Sequence, residues 1–147
     1  MRTALVTGGS RGIGLSIVKE LGLNGYRVAL MATRPEEEYP ESTEILRKAG
    51  VDYFWLSGDI SKSEDRKRVV LQSLEALGSF DVLVNNAGVA PKVRADLLTM
   101  TEESFDYVIG TNTKANMFMT QAVALQMMKQ PLHGDKRGTI INISSCS

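Results

Sequence analysis

One stretch near the start of the chain, Leu5-Val6-Thr7-Gly8-Gly9-Ser10-Arg11-Gly12-Ile13-Gly14, limits the possible folds more than any other. A short apolar run, Ala4 to Val6, stops at a glycine cluster, which then opens into a helical pattern. Strand, Gly-rich turn and helix, in that order, are the parts of a phosphate-binding βα unit. Gly8 permits a tight turn, while Gly12 and Gly14 let backbone approach a pyrophosphate and let the helix pack close. The helix N-terminus then offers free N–H groups and a partial positive charge. The spacing, Gly-x-x-x-Gly-x-Gly, differs from the commonest dinucleotide fingerprint. On these residues alone, a Gly-rich turn in an ordinary βα connection stays open.

The rest of the chain repeats the alternation. Ile13, Ile17, Val18 and Leu21 recur at helical spacing before Gly22 and Gly25, and Arg27 to Ala32 reads as a second strand. Glu41 to Ala49 is a helix ending at Gly50, and Val51 to Leu56 is a third strand carrying the single tryptophan, Trp55. Ser61-Lys62-Ser63-Glu64 fits a capping box ahead of the stripe Val70, Leu74, Leu77. Asp81 to Val84 is a fourth strand. Thr101-Glu102-Glu103 opens one long helix through Phe105, Val108, Ile109 and Asn112 to Lys129, with acids in the first turn where the dipole favours them. A polar loop, Pro131 to Arg137, leads to a fifth strand, Gly138 to Ile143. Strand and helix in alternation predict a parallel sheet with right-handed crossovers and helices on both faces. The expected fold is therefore a three-layer, Rossmann-type doubly wound α/β domain of about five strands, order 3-2-1-4-5, spanning residues 1–147.

Charge and composition narrow the function classes. The 147 residues carry 17 basic and 17 acidic side chains, without the basic excess expected of a nucleic-acid or membrane-surface protein. No apolar run approaches a membrane span. Met1-Arg2-Thr3 enters a strand directly, with no room for a signal peptide. The single cysteine, Cys146, cannot form an internal disulfide, as expected of a cytoplasmic protein. His133 is the one histidine and no Cys/His cluster exists, so no metal is expected and His133 reads as a loop residue.

In an open parallel sheet, ligands bind beyond the carboxyl ends of the strands, where the strand order reverses. Residues just after each strand are therefore the candidates. After the second strand stand Thr33 and Arg34, where an acid would suit NAD and a base suits the 2′-phosphate of NADP. Arg11 adds a second guanidinium able to grip phosphate. Together they predict NADP(H), against the alternative of two solvated arginines. Glu36, Glu37 and Glu38 follow closely and complicate the choice. Asp59 is either a ligand contact or an Asx turn or cap. Asn85-Asn86-Ala87-Gly88 brings small and amide residues where backbone must come close to a ligand. Asn112, on the apolar stripe of the long helix, either anchors neighbouring backbone or serves catalysis.

Thr7-Gly8-x-x-x-Gly12-x-Gly14, Asp59, Asn85-Asn86-Ala87-Gly88, Asn112 and Ile141-Asn142-Ile143-Ser144-Ser145, in that order, resemble the short-chain dehydrogenase/reductase family, and within it the 3-oxoacyl-[acyl-carrier-protein] reductases. The resemblance covers the whole chain. It implies cofactor contacts from Thr7, Gly8, Ser10, Arg11, Gly12, Ile13 and Gly14 of the turn, from Arg34, from Asp59 and Ile60 at the adenine, and from Asn86, Ala87 and Gly88. It implies Ser145 as the catalytic serine, hydrogen-bonded to the substrate oxygen, and Asn112 as the helix asparagine that anchors a relay water. The implied reaction is NADP(H)-dependent hydride transfer to the keto group of a small-molecule or acyl-carrier-linked substrate, as in fatty acid biosynthesis. A complete member would use its long helix in a homo-oligomer interface.

One family element is missing. The Tyr-x-x-x-Lys pair that acts as general acid/base does not occur: none of Tyr26, Tyr39, Tyr53 and Tyr107 has a lysine four residues on. The chain is thus expected to be an N-terminal portion, inactive by itself, with the fifth strand as an apolar edge. A naturally short, non-catalytic nucleotide-binding or partner-binding protein is the alternative. Lys129, Lys136 and Arg137 read either as a docking patch for an acidic carrier or as a solvated basic loop.

Overall fold

A computed structural model describes residues 1–145; Cys146, on which the disulfide expectation rests, and Ser147 lie outside the described residues. Strands β1 (Arg2–Thr7), β2 (Tyr26–Ala32), β3 (Tyr53–Ser57), β4 (Val82–Asn85) and β5 (Thr139–Asn142) form one sheet in the order β3-β2-β1-β4-β5. Every neighbouring pair is parallel. That is the expected topology, and it follows from the chain winding outward twice, from β1 to β3 and then from β4 to β5. The reversal falls between β1 and β4.

Helices α1 (Gly12–Leu23), α2 (Pro40–Lys48), α3 (Ser63–Leu77), α4 (Glu102–Ile109) and α5 (Ala115–Met127) supply the outer layers. Because side chains alternate along a strand, each strand feeds both of them. Leu5, Ala29, Met31 and Leu83 pack on one face with Val69, Val70 and Leu77 of α3 and Met119 and Val123 of α5. Ala4, Val6, Val28, Leu30, Val82 and Val84 pack on the other with Val18 of α1 and Leu46 of α2. The central strands are therefore apolar on both faces, as a fully covered parallel sheet requires.

Three local expectations need correction. The long helix is not uniform: α4 and α5 are joined by a π-helical segment, Gly110–Lys114, and the α-helix stops at Met127. All eight residues of α4 stay unburied, with Phe105 54 % exposed, so its apolar stripe is not a core stripe. Ile13, an expected cofactor contact, is 65 % exposed in the first turn of α1. The capping box does not form. Helix α3 starts at Ser63 with no side-chain cap, since the backbone N–H and hydroxyl of Ser61 both donate to the Asp59 carboxylate, at 2.9 and 2.7 Å. Strand β5 is an edge strand as expected, with Ile141 43 % exposed. Among the described residues no helix is long and apolar enough to cross a membrane.

Candidate functional site

The turn after β1 is built by contacts that only small residues allow. Gly8 has φ +66°, in the left-handed region that favours glycine. A Cβ on Gly14 would stand 2.0 Å from the Gly8 carbonyl oxygen and 2.5 Å from the Asn86 amide nitrogen. Gly14 is thus closed off by the turn's own backbone. Gly12 is different: its φ is +54° and a Cβ there would meet nothing within 4 Å. Of these three glycines, Gly12 alone has open space over its α-carbon.

Across the switch point, the end of β4 is stitched to the end of β1. The fully buried Thr7 hydroxyl accepts the backbone N–H groups of Asn86 and Ala87, both at 3.1 Å, and donates to the Val84 carbonyl at 3.4 Å. The Asn86 side-chain amide donates to the carbonyls of Thr7 and Gly8, at 3.1 and 3.0 Å. The Thr7 hydroxyl and the Asn86 side-chain NH2 therefore hold the backbone of the turn in shape. Ser10 is buried, and its carbonyl accepts the Ser42 hydroxyl from α2 at 2.6 Å.

Helix α1 shares the lack of a first-turn acid only with α5, which continues directly from the π segment and so has no free N-terminus. Helices α2, α3 and α4 each carry an acid in the first turn. Helix α1 carries none and has no side-chain cap. Its first N–H groups and its positive dipole end remain for an anion. Arg11, at the N-cap, is exposed and makes no side-chain hydrogen bond or ion pair among the described residues.

Beyond β2, Arg34 donates to Glu38 at 2.9 Å, with the guanidinium 5.8 Å from the Tyr39 ring centre. The Trp55 indole N–H donates to the Arg34 carbonyl at 3.0 Å, and the Tyr39 and Trp55 rings lie 5.1 Å apart. The 3-10 turn that follows, Glu36–Glu38, is pinned to β3 by the Tyr53 hydroxyl, which donates to Glu36 at 2.5 Å. Burial, and then the adjoining carboxylate, push the Tyr53 hydroxyl from 10.0 up to about 12. A raised pKa in the folded state means this stabilisation is complete below pH 10 and is lost as pH rises towards about 12. Titration of tyrosinate absorbance should show one of the four tyrosines ionising late, and Tyr53→Phe should remove that phase; four coincident ionisations would contradict the Glu36 contact.

After β3, Asp59 forms the Asx turn with Ser61, and its own N–H donates to Asp65 at 2.7 Å. That bond, followed by Arg68, holds the Asp65 carboxyl below its ordinary value. The Ile60 side chain is buried in the core cluster, which leaves its backbone, not its side chain, at the strand end. After β4, Asn112 in the π segment makes a paired contact with Val89, its amide oxygen accepting from the N–H at 2.8 Å and its NH2 donating to the C=O at 2.9 Å. That is the anchoring arrangement, and it fixes the segment beside Gly88, where an added Cβ would meet the Asn112 amide oxygen at 3.4 Å. Asn85 is buried and donates to Thr120 and to Asn142 of β5, at 2.8 and 2.9 Å. Ser145 is exposed and follows β5 at the same end of the sheet. The predicted residues thus gather at the carboxyl ends of the five strands. A recess of about 530 Å³ lined by Arg2, Glu20 and Tyr26 lies at the opposite end, where β1 and β2 begin.

Residues 2–147 match the model of the family described as short chain dehydrogenase. The chain belongs to that family. The short-chain dehydrogenase relatives include 3-oxoacyl-[acyl-carrier-protein] reductase FabG of Staphylococcus aureus (strain Mu50), 38 % identical over 145 residues, covering 98 % of this chain and 56 % of the relative. A crystal structure of 3-oxoacyl-[acyl-carrier protein] reductase from Brucella melitensis in complex with NAD superposes with a TM-score of 0.87 at 33 % identity, covering 98 % of this chain and 55 % of that one. A metagenomic short-chain oxidoreductase in complex with NADP gives a TM-score of 0.86 at 38 % identity, covering 99 % and 63 %. This short-chain dehydrogenase chain therefore spans little more than half the length of the relatives it matches.

Two features of the site had no clear trace in the residue pattern. The π segment is spelled in ordinary helix-compatible residues, and the Ser42 to Ser10 bond joins distant segments. The Arg34–Glu38 pair, by contrast, has i,i+4 spacing and was open to inspection. His133 makes an isolated bridge with Lys136 in the loop before β5, and no group of three or more His, Cys, Asp or Glu capable of holding a metal occurs among the described residues. The Arg137 guanidinium donates to the Gln130 carbonyl, while Lys129 and Lys136 stay exposed.

Proposed function

We propose that this chain is the cofactor-binding part of an NADP(H)-dependent carbonyl reductase of the 3-oxoacyl thioester type. One observation carries the reading: at the topological switch point, the uncapped and acid-free N-terminus of α1 faces a turn whose Gly12 has open space over its α-carbon. A pyrophosphate suits that combination. Gly8, Gly12, Ile13 and Gly14 would line it, with Thr7, Ser10 and Asn86 shaping the cradle and Ala87 and Gly88 bordering it. Asp59 and the backbone of Ile60 would meet the adenine, and Arg11 and Arg34 the 2′-phosphate. The NAD and NADP complexes of similar proteins support a nicotinamide dinucleotide. When bound, the cofactor supplies the hydride. Ser145 would donate a hydrogen bond to the substrate oxygen, where a fixed donor stabilises developing charge, and Asn112 would hold Gly88 and Val89 in position. The names of similar reductases favour an acyl-carrier-linked keto substrate; the family resemblance would add homo-oligomer assembly through the α4–α5 helix and a cytoplasmic location.

Cofactor choice is testable through Trp55, whose indole binds the Arg34 carbonyl. Energy transfer from Trp55 to bound reduced nicotinamide should report tighter binding of NADPH than NADH. Arg34→Ala should weaken NADPH by about tenfold and leave NADH unchanged, since a charge-assisted bond to phosphate is lost. Glu38→Gln should strengthen NADPH about twofold, because the exposed carboxylate competes for the same guanidinium. Tighter binding of NADH, or indifference to Arg34→Ala, would sink the NADP assignment. The 147-residue chain should not turn over a 3-oxoacyl thioester with NADPH, because it holds no tyrosine–lysine pair to move the proton.

A further inference from the structure

Among the described residues, a charged side chain outside the cradle lacks the counter-charge that burial demands. Arg66, on the second turn of α3, is only 6 % exposed. Its Nη1 donates to the Ile60 carbonyl at 2.8 Å, and its guanidinium sits 5.6 Å from the Phe118 ring centre. No carboxylate lies within ion-pair distance, and no other hydrogen bond engages the guanidinium among the described residues. A carbonyl and a ring face offset only part of the cost of burying a full charge. Most of the five N–H donors remain for another acceptor.

Arg66 borders an open recess of about 380 Å³ lined also by Ser61, Ser63, Lys114 and Phe118. Its second cation, Lys114, ends the π segment and makes no ion pair among the described residues. Nearby acids are already engaged elsewhere: Asp59 by Ser61, Asp65 by Arg68 and the Asp59 N–H, and Glu64 by Lys67. The recess therefore holds two cations, the Ser63 hydroxyl and no lining carboxylate. We propose that it is an anion site for a phosphate group, free or on a small phosphorylated molecule, bound between Arg66 and Lys114.

A phosphate matches the donors better than a carboxylate does. It carries up to two negative charges and three acceptor oxygens, enough for the free guanidinium edge, the ammonium and the Ser63 hydroxyl together. Phe118 then backs the site with an apolar wall. The site is separate from the dinucleotide cradle, and the proposal does not rest on the reductase reading. The two touch through shared backbone: Arg66 holds the Ile60 carbonyl beside the candidate adenine contact Asp59, and Lys114 stands two residues past Asn112. An anion here would tighten both flanks of the cofactor site.

Amide NMR of the 147-residue chain, titrated with inorganic phosphate at constant ionic strength, locates the binding. Saturable shifts should centre on Ser61, Ser63 and Lys114, and acetate should need at least tenfold higher concentration. Lys114→Met should raise the half-saturation concentration about tenfold, the loss of one charge-assisted contact. Arg66→Met should abolish saturation, but it also alters a buried position; the exposed Lys114 variant, checked by its melting curve, keeps the test valid if Arg66→Met fails to fold. Shifts confined to Gly8–Gly14 would mean that phosphate chooses the cradle, and would overturn the proposal. So would equal affinity for acetate, an unchanged Lys114→Met titration, or a dimer in which a carboxylate of the second copy occupies Arg66.

Discussion

Gly14→Ala is expected to destabilise the chain by about 3 kcal/mol and to abolish dinucleotide binding, although alanine is the better helix former. Propensity alone would favour the substitution by about 1 kcal/mol, since Gly14 lies inside α1. Packing decides the other way. The new Cβ would sit 2.0 Å from the Gly8 carbonyl oxygen and 2.5 Å from the Asn86 amide, and backbone cannot swing aside as a side-chain tip can. Relief requires α1 to move away from the end of β1. Overpacking of this kind costs about 1–3 kcal/mol or more, a large share of the roughly 5–15 kcal/mol that stabilises a domain. The same displacement pulls the first-turn N–H groups off the pyrophosphate position. Gly12→Ala is the control: its Cβ would meet nothing, so only the left-handed backbone at φ +54° resists it, at about 1–2 kcal/mol. Urea unfolding of the two variants separates strain from clash. Equal midpoints would show that the contact between Gly14 and Gly8 does not constrain the turn.

Thr7→Val should cost about 2–4 kcal/mol while changing almost no volume. The Thr7 hydroxyl is fully buried and is the acceptor for the N–H groups of both Asn86 and Ala87. Valine fills the space and accepts neither, and each donor left without a partner costs about 1–3 kcal/mol. Thr7→Ser keeps the oxygen and loses a buried methyl, for about 1 kcal/mol. Denaturant midpoints should fall in the order wild type, Thr7→Ser, Thr7→Val, with unchanged slopes. Hydrogen exchange at the Asn86 and Ala87 amides should quicken in the valine variant alone. If serine and valine prove equally damaging, the methyl group and not the hydroxyl is what Thr7 contributes.

These two effects show where residue patterns stop being informative. The glycines of the first turn were legible because a strand, a glycine cluster and a helix leave few geometries. Their separate duties were not. Gly14 gives way to Gly8 and Asn86, and Asn86 lies more than seventy residues away along the chain. Asp59 makes the Asx turn through Oδ1, at the expense of the capping box, and the Asn112 amide anchors Val89; both contacts follow from where the chain is folded and not from residue type. Ile13 and Phe105 keep the helical period yet stay exposed, because period alone cannot say whether anything lies opposite a helix face.

Local chemistry therefore determined the alternation of strands and helices, the parallel sheet with its reversal, and the family to which the chain belongs. Those features depend on side-chain period and on turn residues, both of which act between near neighbours. Tertiary structure decided which backbone atoms the glycines make room for, that the long helix breaks into a π segment beside Asn112, and that Arg66 is buried without a counter-charge among the described residues. Each of these is a contact between segments distant in sequence or a local choice enforced by packing, and no periodicity encodes the distance between such partners.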